Sequence, residues 1–78
     1  MTKNEKYNKA FIESFNIGEK DLENLTYQSI SSWDSVGHMG LIAALEEEFD
    51  IMMDTDDIID LSSYEKGKEI LKKYDISF

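Results

Sequence analysis

The residues best placed to do chemistry in this chain are Asp34 and Ser35, which stand at the start of a helical pattern. Asp is a preferred residue just before a helix, because its carboxylate accepts a free backbone N–H of the first turn. Ser35 would then occupy the first helical position with its hydroxyl in solvent. A helix N-terminus tolerates an anionic phosphate well, because it carries free N–H donors and the positive end of the helix dipole. Ser35 is therefore either a second polar residue of a capping region or an attachment point for a phosphate-linked group.

The residues after Ser35 form an apolar-periodic segment with an acidic end. Trp33-Asp34-Ser35-Val36 leads into this segment, which closes on Leu45-Glu46-Glu47-Glu48-Phe49. The string resembles the acyl carrier protein family, in which a helix begins at Asp-Ser-Leu and ends in an acid-rich Leu-Glu-Glu-Glu-Phe segment. The resemblance covers nearly the whole chain in length and helix order, and its most specific part is residues 33–51.

The resemblance implies a role for Ser35 that the residue pattern alone leaves open. In the family the corresponding serine carries 4′-phosphopantetheine, which a phosphopantetheinyl transferase attaches with coenzyme A as the donor. The resemblance implies that the chain is a non-catalytic carrier, which holds acyl groups as thioesters and delivers them to acyl-loading and acyl-transfer enzymes. Val36 stands where Leu is usual in the family. Gly37 and Gly40 stand where many fatty-acid carriers have acids, which favours a specialised polyketide-like, secondary-metabolite or surface-glycan pathway.

A partner surface is predicted on the helix that follows Asp34. At 100° per residue, one arc is apolar and should face the core, namely His38, Leu41, Ile42, Leu45 and Phe49. The opposite arc is apolar at its start and acidic at its end, which suits a basic enzyme surface. The residues predicted to bind partners are Asp34, Val36, Met39, Ala43, Glu46 and Glu47.

Two alternatives to an acyl carrier stay open at this point. A peptidyl or D-alanyl carrier protein would use the same serine and the same arm. An acidic helical interaction domain would have no prosthetic group, and the acids at the end of the helix would form an ordinary solvated face.

His38 and the acids near Asp54 are the other residues that could do chemistry. His38 lies about 300° around an ideal helix from Ser35. We therefore interpret it as a partly buried structural residue and not as a base for Ser35, with a cofactor or acyl-chain contact as the alternative. The acids from Asp54 to Glu65 match a few positions of a calcium-binding loop, but Ile59 replaces the required glycine, so no dedicated metal site is expected.

Composition limits the class of protein. The chain has 78 residues, which predicts a single domain over residues 1–78, and no cysteine for disulfides or thiolate zinc sites. Its formal net charge of −9 opposes nucleic-acid binding, which needs a basic surface. No run approaches the roughly 20 apolar residues of a membrane span, and no signal-peptide pattern is present. We therefore expect a cytoplasmic protein. We also expect it to be a monomer.

Hydrophobic periodicity predicts an all-α fold, a small bundle of three longer helices and one short helix. The first helix should cover about residues 4–15 and end at Gly18 as a left-handed cap. The second should cover about residues 35–49. Between them, residues 19–33 form a long loop that should be held against the core by four apolar side chains, Leu22, Leu25, Tyr27 and Ile30.

The C-terminal third is predicted to hold the short helix and the last helix. The short helix should run over residues 56–61, with Thr55 or Asp56 as its cap. Its inward-facing residues should be Ile58, Ile59 and Leu61. Ser62 and Glu65 fit a capping box at the start of the last helix.

Overall fold

A computed structural model describes residues 1–78. The chain forms four α-helices and no β-strand. The helices are α1 (Lys3–Phe15), α2 (Ser35–Phe49), α3 (Thr55–Asp60) and α4 (Tyr64–Lys72). The all-α prediction is confirmed, with three longer helices and one short one. No helix is both long enough and apolar enough to cross a membrane.

The ends of α1 are set by local side-chain and backbone hydrogen bonds. Thr2 and Glu5 form a capping box, in which each side chain accepts the other residue's backbone N–H. The helix ends at Asn16, whose φ of 55° places it in the left-handed region and whose N–H donates to the Ile12 carbonyl. The prediction of Gly18 as the left-handed cap is therefore wrong. Gly18 is extended, and its N–H donates to the Asp21 carboxylate at the start of a short 3-10 turn, Glu19–Asp21.

Trp33 anchors the start of α2 in the core. Its indole ring has no exposed surface and stacks on Phe15 with ring centres 5.1 Å apart. Phe11 meets the same indole edge to face at 5.6 Å. Burial of a tryptophan supplies roughly 5 kcal/mol of hydrophobic free energy. Because α1 packs against α2 around this ring, the position of the residues that follow Trp33 is fixed by the core.

The loop before Trp33 packs against the core and also contacts the segment between α3 and α4. Leu22 and Leu25 are buried, as predicted, and Ile30 is half-buried. Tyr27 is 37% exposed, so its predicted role as a core contact is only partly correct. Its backbone N–H donates to the Ser62 carbonyl at 2.8 Å, which brings this loop beside the segment between α3 and α4.

The short helix α3 differs from its prediction in its cap and in its orientation. Asp54, and not Thr55 or Asp56, is the N-cap residue, although its side chain makes no capping hydrogen bond. Ile59 is 72% exposed, so its predicted inward orientation is wrong. Asp57 is buried instead, and it bonds to residues beyond the end of α4.

Asp57 fixes α3 against the end of α4. Its Oδ1 accepts a hydrogen bond from Lys73 Nζ at 2.8 Å, and its Oδ2 accepts one from the Tyr74 hydroxyl at 2.7 Å. Because these two donors favour the ionised carboxylate, and Lys73 contributes most, the pKa of Asp57 lies below its ordinary value. The Ile58 carbonyl of the same helix is bonded to His38 of α2 at 2.7 Å.

The start of α4 is also one residue later than predicted. Ser63 is the N-cap, and its Oγ accepts the Lys66 backbone N–H at 2.9 Å, so the predicted capping box from Ser62 to Glu65 is wrong. Ser62, which does not cap the helix, is exposed and lies near the start of α2.

Candidate functional site

The N-terminus of α2 has the geometry that the sequence predicts. Asp34 is extended, and its Oδ1 accepts the Gly37 backbone N–H at 2.8 Å, which confirms it as the N-cap. Ser35 is the first helical residue and is exposed. The backbone N–H groups of Ser35 and Val36 have no acceptor within the helix, because helical bonds begin only after the first turn. A negative group attached at Ser35 would therefore lie at the positive end of the α2 dipole.

The hydroxyl of Ser35 differs from those of most neighbouring serines. The Ser29 hydroxyl donates to the Thr26 carbonyl at 2.6 Å, and the Ser32 hydroxyl donates to the Phe15 carbonyl at 3.1 Å. The hydroxyl of Ser35 takes no part in the side-chain hydrogen bonds that hold the fold. It is therefore available for a covalent attachment without loss of a structural bond.

A pocket of about 400 Å³ opens beside Ser35. This Ser35 pocket is formed between the start of α2, the α3 segment and the loop before α2. Its lining residues are Tyr27, Ser35, His38, Met39, Ile58, Ile59, Leu61 and Ser62. The volume is within the range of small-molecule sites, and the walls are mainly apolar. The sequence did not indicate that Tyr27 and Ser62 belong to this site, because only the tertiary fold brings their segments together.

His38 is half-buried and uses both ring nitrogens within the fold. Its Nδ1 accepts the Trp33 indole N–H at 2.9 Å. Because an indole nitrogen can only donate, the His38 proton is on Nε2, which donates to the Ile58 carbonyl at 2.7 Å. His38 therefore makes structural bonds with both ring nitrogens, as predicted, and neither nitrogen is free to accept a proton from Ser35. The alternative of a cofactor or acyl-chain contact stays open.

His38 is nevertheless a neighbour of Ser35 on the helix surface, so its predicted separation from Ser35 is wrong. A rotation of about 300° in one direction is about 60° in the other, so residues three apart are neighbours on a helix. His38 accordingly lines the same pocket as Ser35.

Five of the six predicted partner-binding residues are exposed. Val36 is 81% exposed and Met39 is 54% exposed, and Asp34, Ala43 and Glu47 are also on the surface. Ile59 of α3, which was predicted to face inward, is a further exposed apolar residue at the rim of the Ser35 pocket. Val36, Met39 and Ile59 are called the apolar rim below.

Glu46 has a structural contact that the sequence did not reveal. It is half-buried, and its Oε2 accepts the Met53 backbone N–H at 2.9 Å, which holds the turn between α2 and α3. This bond gives a physical reason for an acid near the C-terminus of α2, where the helix dipole disfavours negative charge. The predicted role of Glu46 in partner binding stays a prediction.

Charge is strongly segregated along the chain. No lysine or arginine lies between Lys20 and Lys66, so α2 and α3 carry acids and no permanent cation. The lysines are on α1, on the 3-10 turn, and on or just after α4. The face that contains Ser35 therefore has a negative field, which would attract a basic partner and accelerate its approach.

The two glycines of α2 have different surroundings. A Cβ atom at residue 37 would collide with the backbone carbonyl oxygen of Ser32, whereas a Cβ at residue 40 would have no neighbour within 4 Å. Gly37 is thus required by the close approach of the chain to itself at the start of α2. Nothing in the fold explains Gly40.

A scan against protein-family models found no match for the chain, and searches of curated proteins and of solved structures found none either.

Proposed function

We propose that this chain is a carrier protein, in which the hydroxyl of Ser35 bears a 4′-phosphopantetheine arm. The observation that carries the proposal is the placement of Ser35, which is an exposed, unbonded serine at the first position of a 15-residue helix and beside an apolar pocket. The resemblance of residues 33–51 to the acyl carrier protein family supports the same function.

The residues around Ser35 fit the phosphate of such an arm. The free N–H groups and the dipole of α2 favour a negative group at this position. Asp34 brings a negative charge nearby, but its carboxylate is held by the Gly37 N–H and is thereby partly compensated. Trp33, two residues before Ser35, is buried in the core. The attachment point at Ser35 therefore has a defined position relative to the pocket.

The arm supplies a terminal thiol, to which acyl groups attach as thioesters. The chain itself supplies position, shielding and recognition. The apolar walls of the Ser35 pocket can cover an apolar group, while the apolar rim and the neighbouring acids offer a contact surface to enzymes. We propose that the partners are a phosphopantetheinyl transferase and acyl-loading and acyl-transfer enzymes with basic surfaces. The contact would be small and transient, because a carrier must leave each enzyme after delivery.

We place this carrier in a specialised cytoplasmic pathway and expect it to act as a monomer. The exposed glycine at position 40, where many fatty-acid carriers have an acid, supports a partner set that differs from that of fatty-acid synthesis.

The proposal is tested by transfer of the arm in vitro. The purified chain is incubated with coenzyme A and a broad-specificity phosphopantetheinyl transferase, and the intact mass is measured. We expect the gain of one phosphopantetheinyl group by the wild-type chain and by Ser31→Ala, a matched control in the exposed turn before the helix. The Ser35→Ala variant should gain none.

Two outcomes would contradict the proposal. Modification of Ser35→Ala would show that the attachment residue is wrong. An unmodified wild-type chain, in a reaction where a known carrier is fully modified, would favour an interaction domain without a prosthetic group.

A further inference from the structure

We propose that His38 forms the floor of the Ser35 pocket and limits the cargo to short apolar groups, including branched or aromatic ones. Long linear chains would not be enclosed by this protein. The inference rests on the proposed function for the identity of the cargo, but the depth of the pocket is a property of the chain alone.

The imidazole of His38 connects two segments that would have to separate to deepen the pocket. Through Nδ1 it is bonded to Trp33, at the entry to α2, and through Nε2 to the Ile58 carbonyl of α3. The ring is also nearly parallel to the Trp33 indole, with an angle of 13° and ring centres 6.2 Å apart. Tyr27 meets the imidazole edge to face at 5.6 Å. The ring is thus fixed in position on several sides.

The interior behind His38 is filled. Trp33 and Leu41 have no exposed surface. The two other pockets of the protein lie against α1, one of them between α1 and α2, and share no lining residue with the Ser35 pocket. An alkyl chain that entered beside Ser35 would therefore meet the imidazole, with no cavity beyond it.

Movement of α3 would be needed to admit a longer chain, and α3 is held on two sides. His38 bonds to Ile58 on one side, while Lys73 and Tyr74 bond to Asp57 on the other. Separation of α3 from α2 would break the bond between His38 and Ile58, while the bonds of Asp57 hold α3 to the segment after α4 and oppose its movement.

The size and chemistry of the pocket define the group that fits. The volume of about 400 Å³ is near the lower end of the range of small-molecule sites. Met39, Ile58 and Ile59 supply apolar walls, and no acid or lysine is among the lining residues. A short, uncharged apolar group therefore fits, whereas a long chain would extend into solvent.

The test uses a single cysteine as an artificial attachment point. The chain has no cysteine, so Ser35→Cys creates one unique thiol at the mouth of the pocket. Alkyl methanethiosulfonates with one to twelve carbons convert this thiol to mixed disulfides, and the melting temperature of each product is measured. We expect the melting temperature to rise by up to roughly 3–6 °C for each methylene that becomes buried. The rise should stop before twelve carbons, when the chain has reached the imidazole of His38.

The His38→Ala variant on the Ser35→Cys background tests the role of the imidazole. Its rise in melting temperature should stop a few carbons later than that of Ser35→Cys alone, because removal of the imidazole ring leaves room for a few more methylenes. Met52→Ala on the same background is the control, since Met52 is exposed and does not line the pocket, and its series should stop at the same length as that of Ser35→Cys alone.

A second measurement keeps the proposal testable if His38→Ala does not fold. In the Ser35→Cys protein with His38 intact, nuclear Overhauser contacts locate the terminal methyl of the attached group. A butyl methyl should contact Ile59 or Leu61, and a decyl methyl should contact neither Leu41 nor Trp33. Decyl contacts to those core residues, a melting temperature that rises through twelve carbons, or no response at any length would each overturn the proposal. A melting temperature that stops rising at the same chain length in the His38→Ala series as in Ser35→Cys alone would also overturn the proposal. None of these readouts needs a transferase, so failure here is distinct from failure of Ser35 to accept the arm.

Discussion

Asp57 Oδ1 lies 2.8 Å from Lys73 Nζ, and this ion pair joins α3 to the residue that follows α4. The carboxylate is buried, while the lysine side chain is largely exposed. The same carboxylate accepts the Tyr74 hydroxyl, so one acid connects the helix beside the Ser35 pocket to the C-terminal segment.

The pH dependence of stability should reveal this bond. Because the pKa of Asp57 is lowered in the folded chain, its ionised form stabilises the fold. This contribution is complete above the ordinary carboxyl value of about 3.9 and is lost as the pH falls from there through the lowered pKa. Asp57→Asn should therefore reduce the melting temperature clearly at pH 7 and much less at pH 2–3. Comparison of the two proteins at each pH removes the effect of the other acids, and an equal difference at both pH values would contradict the assignment.

The two glycines of α2 provide a matched pair of substitutions. Gly40→Ala should stabilise the chain by about 1 kcal/mol, because the site is exposed, has space for a Cβ and lies within a helix. Gly37→Ala should destabilise it by about 1–3 kcal/mol, since the new methyl group would collide with the Ser32 carbonyl. Urea unfolding of both variants measures the difference, and stabilisation by both would show that the approach of Ser32 to α2 is wrong.

Met39 and Leu45 test which face of α2 is buried. Leu45 has no exposed surface, so Leu45→Ala should cost roughly 2–5 kcal/mol of unfolding free energy through a cavity. Met39 is 54% exposed, so Met39→Glu should leave helicity and melting nearly unchanged while it slows arm transfer or acyl loading. Circular dichroism and transferase kinetics on both variants make the comparison. An unfolded Met39→Glu together with a harmless Leu45→Ala would mean that the helix faces the other way.

Glu46 and Glu47 are adjacent acids with different expected roles. Glu46→Ala should lower the unfolding free energy by about 1 kcal/mol or more, because the Met53 N–H loses its acceptor. Glu47→Lys should have little effect on stability, since the side chain is exposed, but it should reduce the association rate with basic partners, most strongly at low salt. Stopped-flow association at two salt concentrations separates the effects. A rate that is independent of Glu47 at low salt would remove this residue from the partner surface.

The parts of the fold that the sequence predicts well are those with local causes. The start of α2 follows from the capping preference of Asp34, and its buried arc follows from the spacing of Leu41, Ile42 and Leu45. Those features need only residues within a few turns of one another, so a single sequence contains the information.

The predictions that were wrong depend on long-range contacts or on two local alternatives of similar preference. The orientation of α3 depends on bonds from Lys73 and Tyr74 to Asp57, 16 and 17 residues away, and six helical residues are too few for a clear periodicity. Asn16 and Gly18 can both adopt the left-handed conformation, and the local pattern does not decide between them. The Ser35 pocket was missed because its walls come from separate segments that only the bundle brings together.

The central claim is that Ser35 bears a phosphopantetheine arm, and the most direct measurement is the intact mass of the protein isolated from the cells that naturally produce it. Fragmentation of the isolated chain then locates any added group. We predict a chain heavier by one phosphopantetheinyl group, with or without an acyl thioester, and the added mass on the fragment that contains Ser35. A chain that has only the mass of its amino acids, or a phosphopantetheinyl group on any other residue, would contradict the account.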